Sequence, residues 1–113
     1  MRHERLYLND IVEATDEIAR FLVGMDANSF QHSDLLRSAV VHKLLVIGEA
    51  AARLSGELTD RNPQVPWAQI VGFRNILIHA YFGIDWDLVW ETAKDRCPIL
   101  RDQVSRILAA ESQ

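Results

Sequence analysis

Leu8, Ile11, Val12, Thr15, Ile18, Ala19 and Leu22 recur at the i, i+3, i+4, i+7 intervals that lay one apolar stripe along a helix. The pattern predicts a first helix here, with Asn9 or Asp10 in its early turn and Gly24 as its stop. Glu13, Asp16, Glu17 and Arg20 fall largely off the stripe and read as solvated. Residues 25–32 read as a connector, with a short turn near residues 28–30. Ser33 has the chemistry of an N-cap for a second helix, with Asp34 in its first turn.

From residue 35 to residue 52 the second helix is apolar nearly all round: Leu35, Leu36, Ala39, Val40, Val41, Leu44, Leu45, Val46 and Ile47 leave no polar face. Such a helix needs cover on more than one side, as the centre of a bundle or as a contact between two copies. Gly48 costs about 1 kcal/mol against alanine in a helix interior, a cost that fits the close approach of a neighbouring helix. Glu49 follows it. Turned to the surface it needs no explanation; turned inward it needs a cation, for which Arg74 is the candidate.

Residues 56–65 carry Asp60, Asn62 and Pro63 and read as a loop. Pro66 suits the first position of a third helix, which runs through Trp67, Ile70, Val71 and Arg74 to about Ile78. Tyr81, Phe82 and Gly83 make the next turn, and Asp85 caps a fourth helix carrying Trp86, Val89, Trp90, Ala93 and Cys97. Pro98 predicts a kink or break, after which Leu100, Val104, Ile107 and Leu108 form a last stripe. No strand alternation, repeat or domain boundary interrupts the series. The expected fold is an all-α bundle formed by residues 1–113 as a single domain.

Composition narrows the class. The 113 residues are 49% hydrophobic and 25% charged, the profile of an ordinary globule. One cysteine, Cys97, excludes an internal disulfide and fits a reducing compartment; its simplest reading is a small buried apolar residue. The charged start M-R-H-E-R-L-Y has no apolar core of a secretory signal, and residues 39–52, the longest apolar run, are broken by His42, Lys43 and Glu49. A cytoplasmic protein with no membrane segment is expected. The net charge of −4 argues against a broad nucleic-acid-binding surface but leaves room for a local basic cleft.

The chemistry concentrates in residues 71–86, V-G-F-R-N-I-L-I-H-A-Y-F-G-I-D-W. Arg74, His79 and Tyr81 stand among residues that otherwise read as helix core. Histidine serves as general acid or base, and arginine holds phosphate oxygens with a rigid fork of donors. Together they suit attack on a phosphodiester without a metal. Five positions separate Arg74 from His79, which leaves them about 140° apart on a continuous helix. Either that helix ends near His79, or a second copy of the chain completes the site. The plain alternative is a packed tyrosine, a capping histidine and an arginine paired with Glu49.

Other chemistries lack their residues. His3, His32, His42 and His79 are scattered and no pair sits at i, i+4, so a metal site is not expected. No glycine-rich phosphate loop and no serine elbow occur. A DNA-reading helix would want more cations at its start than Arg74 supplies. Trp67, Trp86 and Trp90 read as core anchors.

Arg74-Asn75-Ile76-Leu77-Ile78-His79-Ala80-Tyr81 spells R-N-x-x-x-H-x-Y. This resembles the signature of the HepT-like branch of HEPN-domain proteins, the ribonuclease toxins of toxin–antitoxin pairs. Ile47-Gly48-Glu49-Ala50-Ala51 resembles the family's I-G-E-A segment. Trp67 and Ile70 before the arginine, and Tyr81-Phe82-Gly83-Ile84-Asp85 with Trp90 after the histidine, extend the resemblance over nearly the whole chain. It implies an antiparallel four-to-five-helix HEPN-like bundle that dimerises and joins two Arg/His pairs in one cleft. It further implies a toxin of a type II/VII-like pair, a metal-independent endoribonuclease in which the ribose 2′-hydroxyl attacks the adjacent phosphate.

By matching positions, the resemblance makes His79 the general acid or base and Arg74 the phosphate ligand. Asn75 orients the phosphate and Glu49 positions Arg74. The implied partner is a nucleotidyltransferase antitoxin of the MNT type, which transfers AMP from ATP to Tyr81. ATP and magnesium then belong to that partner, and this chain needs no cofactor of its own. A reading of another class makes the bundle a non-catalytic subunit, with Arg74, His79 and Tyr81 docking the nucleotidyltransferase.

Overall fold

Four long helical rods follow from four apolar stripes. The computed structural model describes residues 2–80 and 82–111. Helix α1 (Arg2–Phe21) is followed by the short α2 (Ala27–Gln31) and by α3 (Asp34–Ala52). Then come α4 (Gly56–Arg61), α5 (Trp67–His79), α6 (Trp86–Glu91) and α7 (Cys97–Glu111), the last two joined by a π-helical stretch, Thr92–Arg96. No strand occurs among the described residues, as expected of an all-α HEPN-like bundle.

The caps are those that the side chains dictate. Ser33 accepts from the Leu36 N–H at 3.1 Å, Asp26 from Ser29 at 2.8 Å and Asp85 from Leu88 at 3.1 Å. Each satisfies one of the orphan donors of a helix start. Gly24, at φ 73°, takes the left-handed conformation that ends the turn after α1.

Helix α3 is the central element: α1 packs on one side of it and α5 on another, while α7 closes on α1. Leu8, Ile11 and Ile18 of α1, Val40, Leu44 and Ile47 of α3, and Leu100, Val104 and Ile107 of α7 are buried between them. Phe30 is fully buried and meets Trp86 edge-on and Trp90 at a tilt, with ring centroids at 6.3 and 5.4 Å. Trp67 is buried, and its indole N–H donates to the Asn62 carbonyl at 3.0 Å. Trp86 and Trp90 are half-buried, with Arg37 and Lys94 over their rings. The tryptophans are anchors.

Several expectations change. Helix α1 begins at Arg2, ahead of its stripe, because charged residues continue a helix at no packing cost; Leu22 follows its end. The connector at residues 25–32 holds the five-residue helix α2, capped by Asp26. Residues 56–65 are not all loop. Ser55 accepts from the Leu58 N–H at 3.1 Å and donates its own N–H to Glu4 at 2.6 Å, and Leu58 is buried, so tertiary contacts stabilise a helix too short to persist alone. That hydrogen bonding holds the Glu4 carboxyl below its usual value. Pro66 stands at the N-cap of α5, one place before the expected position.

Pro98 causes no break. The Cys97 N–H reaches back to the Thr92 carbonyl, and the widened register just upstream lets the proline ring pass the carbonyl it would otherwise meet. Helicity therefore runs unbroken from Trp86 to Glu111. Nor are all the residues off the α1 stripe merely solvated. Glu17 pairs with Lys43 at 3.0 Å and Asp16 with Arg101 at 2.9 Å, tying α1 to α3 and α7.

Candidate active site

Helix α5 presents the candidate residues. It ends at His79, as the first option required, but it is regular through Arg74, Asn75 and His79, so the histidine still lies off the arginine's face. The two stand about 140° apart around the axis and about 7.5 Å apart along it. Asn75 and His79 are exposed, whereas the Arg74 side chain is only 17% exposed. Tyr81 lies outside the described residues. Past the helix end, the Gly83 N–H donates to the Ala80 carbonyl at 3.0 Å.

The arginine is held by helix α3. An ideal Cβ built on Gly48 would lie 2.3 Å from the Arg74 Cβ and 2.6 Å from its Cγ. Only glycine fits there, as the cost of a glycine within that helix suggested. The stem of Arg74 thus lies across the Gly48 backbone and carries its guanidinium to the next residue, Glu49, which accepts from Nη1. Glu49 is not turned inward; its side chain is 51% exposed, and the pairing expected for a buried carboxylate forms at the rim of the bundle. At this exposure the pair contributes placement more than stability. Arg74 Nε is buried and finds no partner among the described residues. Its guanidinium keeps donor capacity beyond the bond to Glu49.

Glu49 has a second cation. Arg53 Nη2 lies 3.4 Å from the other carboxylate oxygen, one helical turn along α3. Hydrogen bonding to the Tyr7 phenol, and then to Glu49, pushes the Arg53 guanidinium above its ordinary value. Sequence reading did not single out Arg53 or Tyr7; the i, i+4 spacing of Glu49 and Arg53 was the signal available.

A family model for HepT-like ribonucleases matches residues 11–107. The chain belongs to the HepT-like ribonuclease family. "Putative RNase MJ1380" of Methanocaldococcus jannaschii is 38% identical over 103 residues, 91% of this chain and 94% of its own. "Probable ribonuclease HepT" of Thermococcus cleftensis is 32% identical over 106 residues, 94% of this chain and 96% of its own. No solved structure matches significantly. The matched span takes in α3 and α5 entire, and with them every residue of the Gly48–Arg74 contact and the Glu49 bridge.

Among the described residues no group of His, Cys, Asp and Glu is arranged to hold a metal ion. Cys97 is 4% exposed and burial pushes its thiol up to about 12, so it is no nucleophile at neutral pH. A thiol reagent at pH 7.5 is expected to label Cys97 only on unfolding. Because the folded thiol keeps its proton and the unfolded one, with an ordinary value of 9.0, loses it, the contribution of Cys97 to stability is complete below 9. It is lost as pH rises towards 12, which denaturant titrations across that range would read. No described helix is long and apolar enough to cross a membrane.

Proposed function

We propose that this HepT-like chain is a metal-independent endoribonuclease whose site is completed by a second copy. The observation carrying the reading is the Arg74 guanidinium, anchored by Gly48 and Glu49 at the rim of the bundle, in a family of ribonucleases. Arg74 holds the non-bridging oxygens of the scissile phosphate and stabilises the charge that builds on them. A general base takes the proton of the ribose 2′-hydroxyl, whose oxygen bonds to phosphorus as the bond to the 5′-oxygen breaks. A general acid protonates that leaving oxygen. His79 of the second copy is the general acid or base beside the first copy's Arg74, water takes the other role, and Asn75 orients the phosphate. The products are a 2′,3′-cyclic phosphate and a free 5′-hydroxyl.

Dimerisation answers the angular separation on α5. That helix packs chiefly on α3, and Ile76 and Ile78 near its C-terminal end are 58% and 47% exposed. A second copy laid against this end covers both isoleucines and brings its own His79 towards the first copy's Arg74. We place the protein in the cytoplasm as the toxin of a toxin–antitoxin pair, in which a nucleotidyltransferase of the MNT type transfers AMP from ATP to Tyr81. The phosphodiester so formed puts negative charge and bulk two positions from His79, where it competes with RNA for Arg74. ATP and magnesium serve the partner.

The test is cleavage of several RNAs in EDTA by purified protein whose intact mass shows Tyr81 unmodified. Expected are cyclic phosphate ends, and no cut at a linkage whose 2′-hydroxyl is replaced by hydrogen. Failure of a verified dimer to cut any RNA would overturn this reading and leave the docking-subunit alternative.

A further inference from the structure

The bridge on Glu49 continues into a groove that the mechanism above does not use. Between α1 and α3 lies an open depression of about 340 Å³, walled by Tyr7 and Asp10 on one side and by His42, Glu49 and Arg53 on the other. One end of it is the Glu49 carboxylate that holds Arg74. The two oxygens of that carboxylate each face one guanidinium, so Arg53 and Arg74 stand as neighbours across a single side chain.

Their surroundings differ. Arg74 is largely covered and fixed by its helix contact, whereas the Arg53 side chain is 58% exposed and contacts Glu49 only at 3.4 Å. Tyr7, from the facing helix, lines the same groove as Arg53. A salt bridge built for stability would not be shared, long and half in water. The arrangement instead keeps a second fork of donors one side chain away from the first. Two cations so placed match consecutive phosphates of a single strand, and the phenol and the Asp10 carboxylate add a stacking surface and an acceptor for a base N–H.

We propose that this groove binds the nucleotide next to the scissile phosphate in a single-stranded RNA, with Arg53 as the ligand of the flanking phosphate. The assignment rests on the ribonuclease reading above. Arg53 takes no part in bond making; it sets which linkage comes to Arg74.

The salt dependence of binding separates a phosphate ligand from a structural prop. The probe is a non-cleavable 2′-O-methyl RNA oligonucleotide, titrated against wild-type protein, Arg53→Ala and Arg53→Lys over a range of salt concentrations. Loss of one phosphate contact makes the slope of log affinity against log salt shallower by about 0.7 for a single strand. Arg53→Ala is expected to show that change and to bind about tenfold more weakly at low salt, while Arg53→Lys keeps the wild-type slope. Weaker binding with an unchanged slope would overturn the assignment and make Arg53 a support for Glu49, with the ribonuclease reading intact. Wild-type protein that neither binds the probe nor cuts RNA would overturn both.

Discussion

Replacing His79 with alanine is expected to lower RNA cleavage by about 10²- to 10⁴-fold, the range of a general acid or base. Stability should hardly change, since His79 is exposed in the last turn of α5. Arg74→Ala should cost a comparable factor, about 10²- to 10³-fold, by removing the donors that meet the developing charge. It strands Glu49 with the more distant Arg53 alone, so some stability goes with it. The two variants mixed as heterodimers provide the sharper measurement. If each cut needs an arginine from one copy and a histidine from the other, a mixture of the inactive variants regains part of the wild-type rate. A site complete within one chain gains nothing from mixing. Full activity of His79→Ala would remove the histidine from the mechanism.

Gly48→Ala should damage the protein although alanine is the better helix former. Propensity favours the alanine by about 1 kcal/mol. Against that, the new Cβ would lie 2.3 Å from the Arg74 Cβ and 3.5 Å from its Cα, so the obstacle is the root of a side chain with no flexible end to move aside. Helices α3 and α5 must separate, and overpacking of this kind costs about 1–3 kcal/mol. The expected Tm falls by about 4–8 °C for each kcal/mol lost. Cleavage should fall further than stability does, because misplacing a catalytic group by about 1 Å can cost about 100-fold.

Gly72→Ala is the control. It lies within α5, and a Cβ there meets nothing within 4 Å. Stabilisation by about 0.5–1 kcal/mol is expected. A Tm and rate unchanged in Gly48→Ala would mean that the two helices slide apart freely and that Arg74 owes its position to Glu49 alone.

Much of this was legible from single residues. The Ser33 and Asp85 caps, the glycine stop at Gly24 and the apolar faces of α1, α3 and α7 are interactions within a few residues of chain, which intervals along the sequence report directly. The errors have one cause. Helix α4 and the unbroken course past Pro98 are local structures decided by distant partners. Glu4 and a buried Leu58 hold the first, and the widened turn at Thr92–Arg96 admits the second. No reading of residues 56–65 or of Pro98 alone contains those partners.

The site divides along the same line. Sequence by itself determined the helices, the residue types with phosphodiester chemistry, and the angle between Arg74 and His79, because the geometry of a helix does not depend on what surrounds it. It also raised Gly48 and Glu49 as residues needing an explanation. Only the tertiary structure decided that α5 crosses α3 at Gly48, that Arg74 lies over that glycine, and that one exposed carboxylate carries two arginines. The crossing point, rotation and spacing of two helices are set by the packing of all their side chains at once. They leave no periodic trace along either helix.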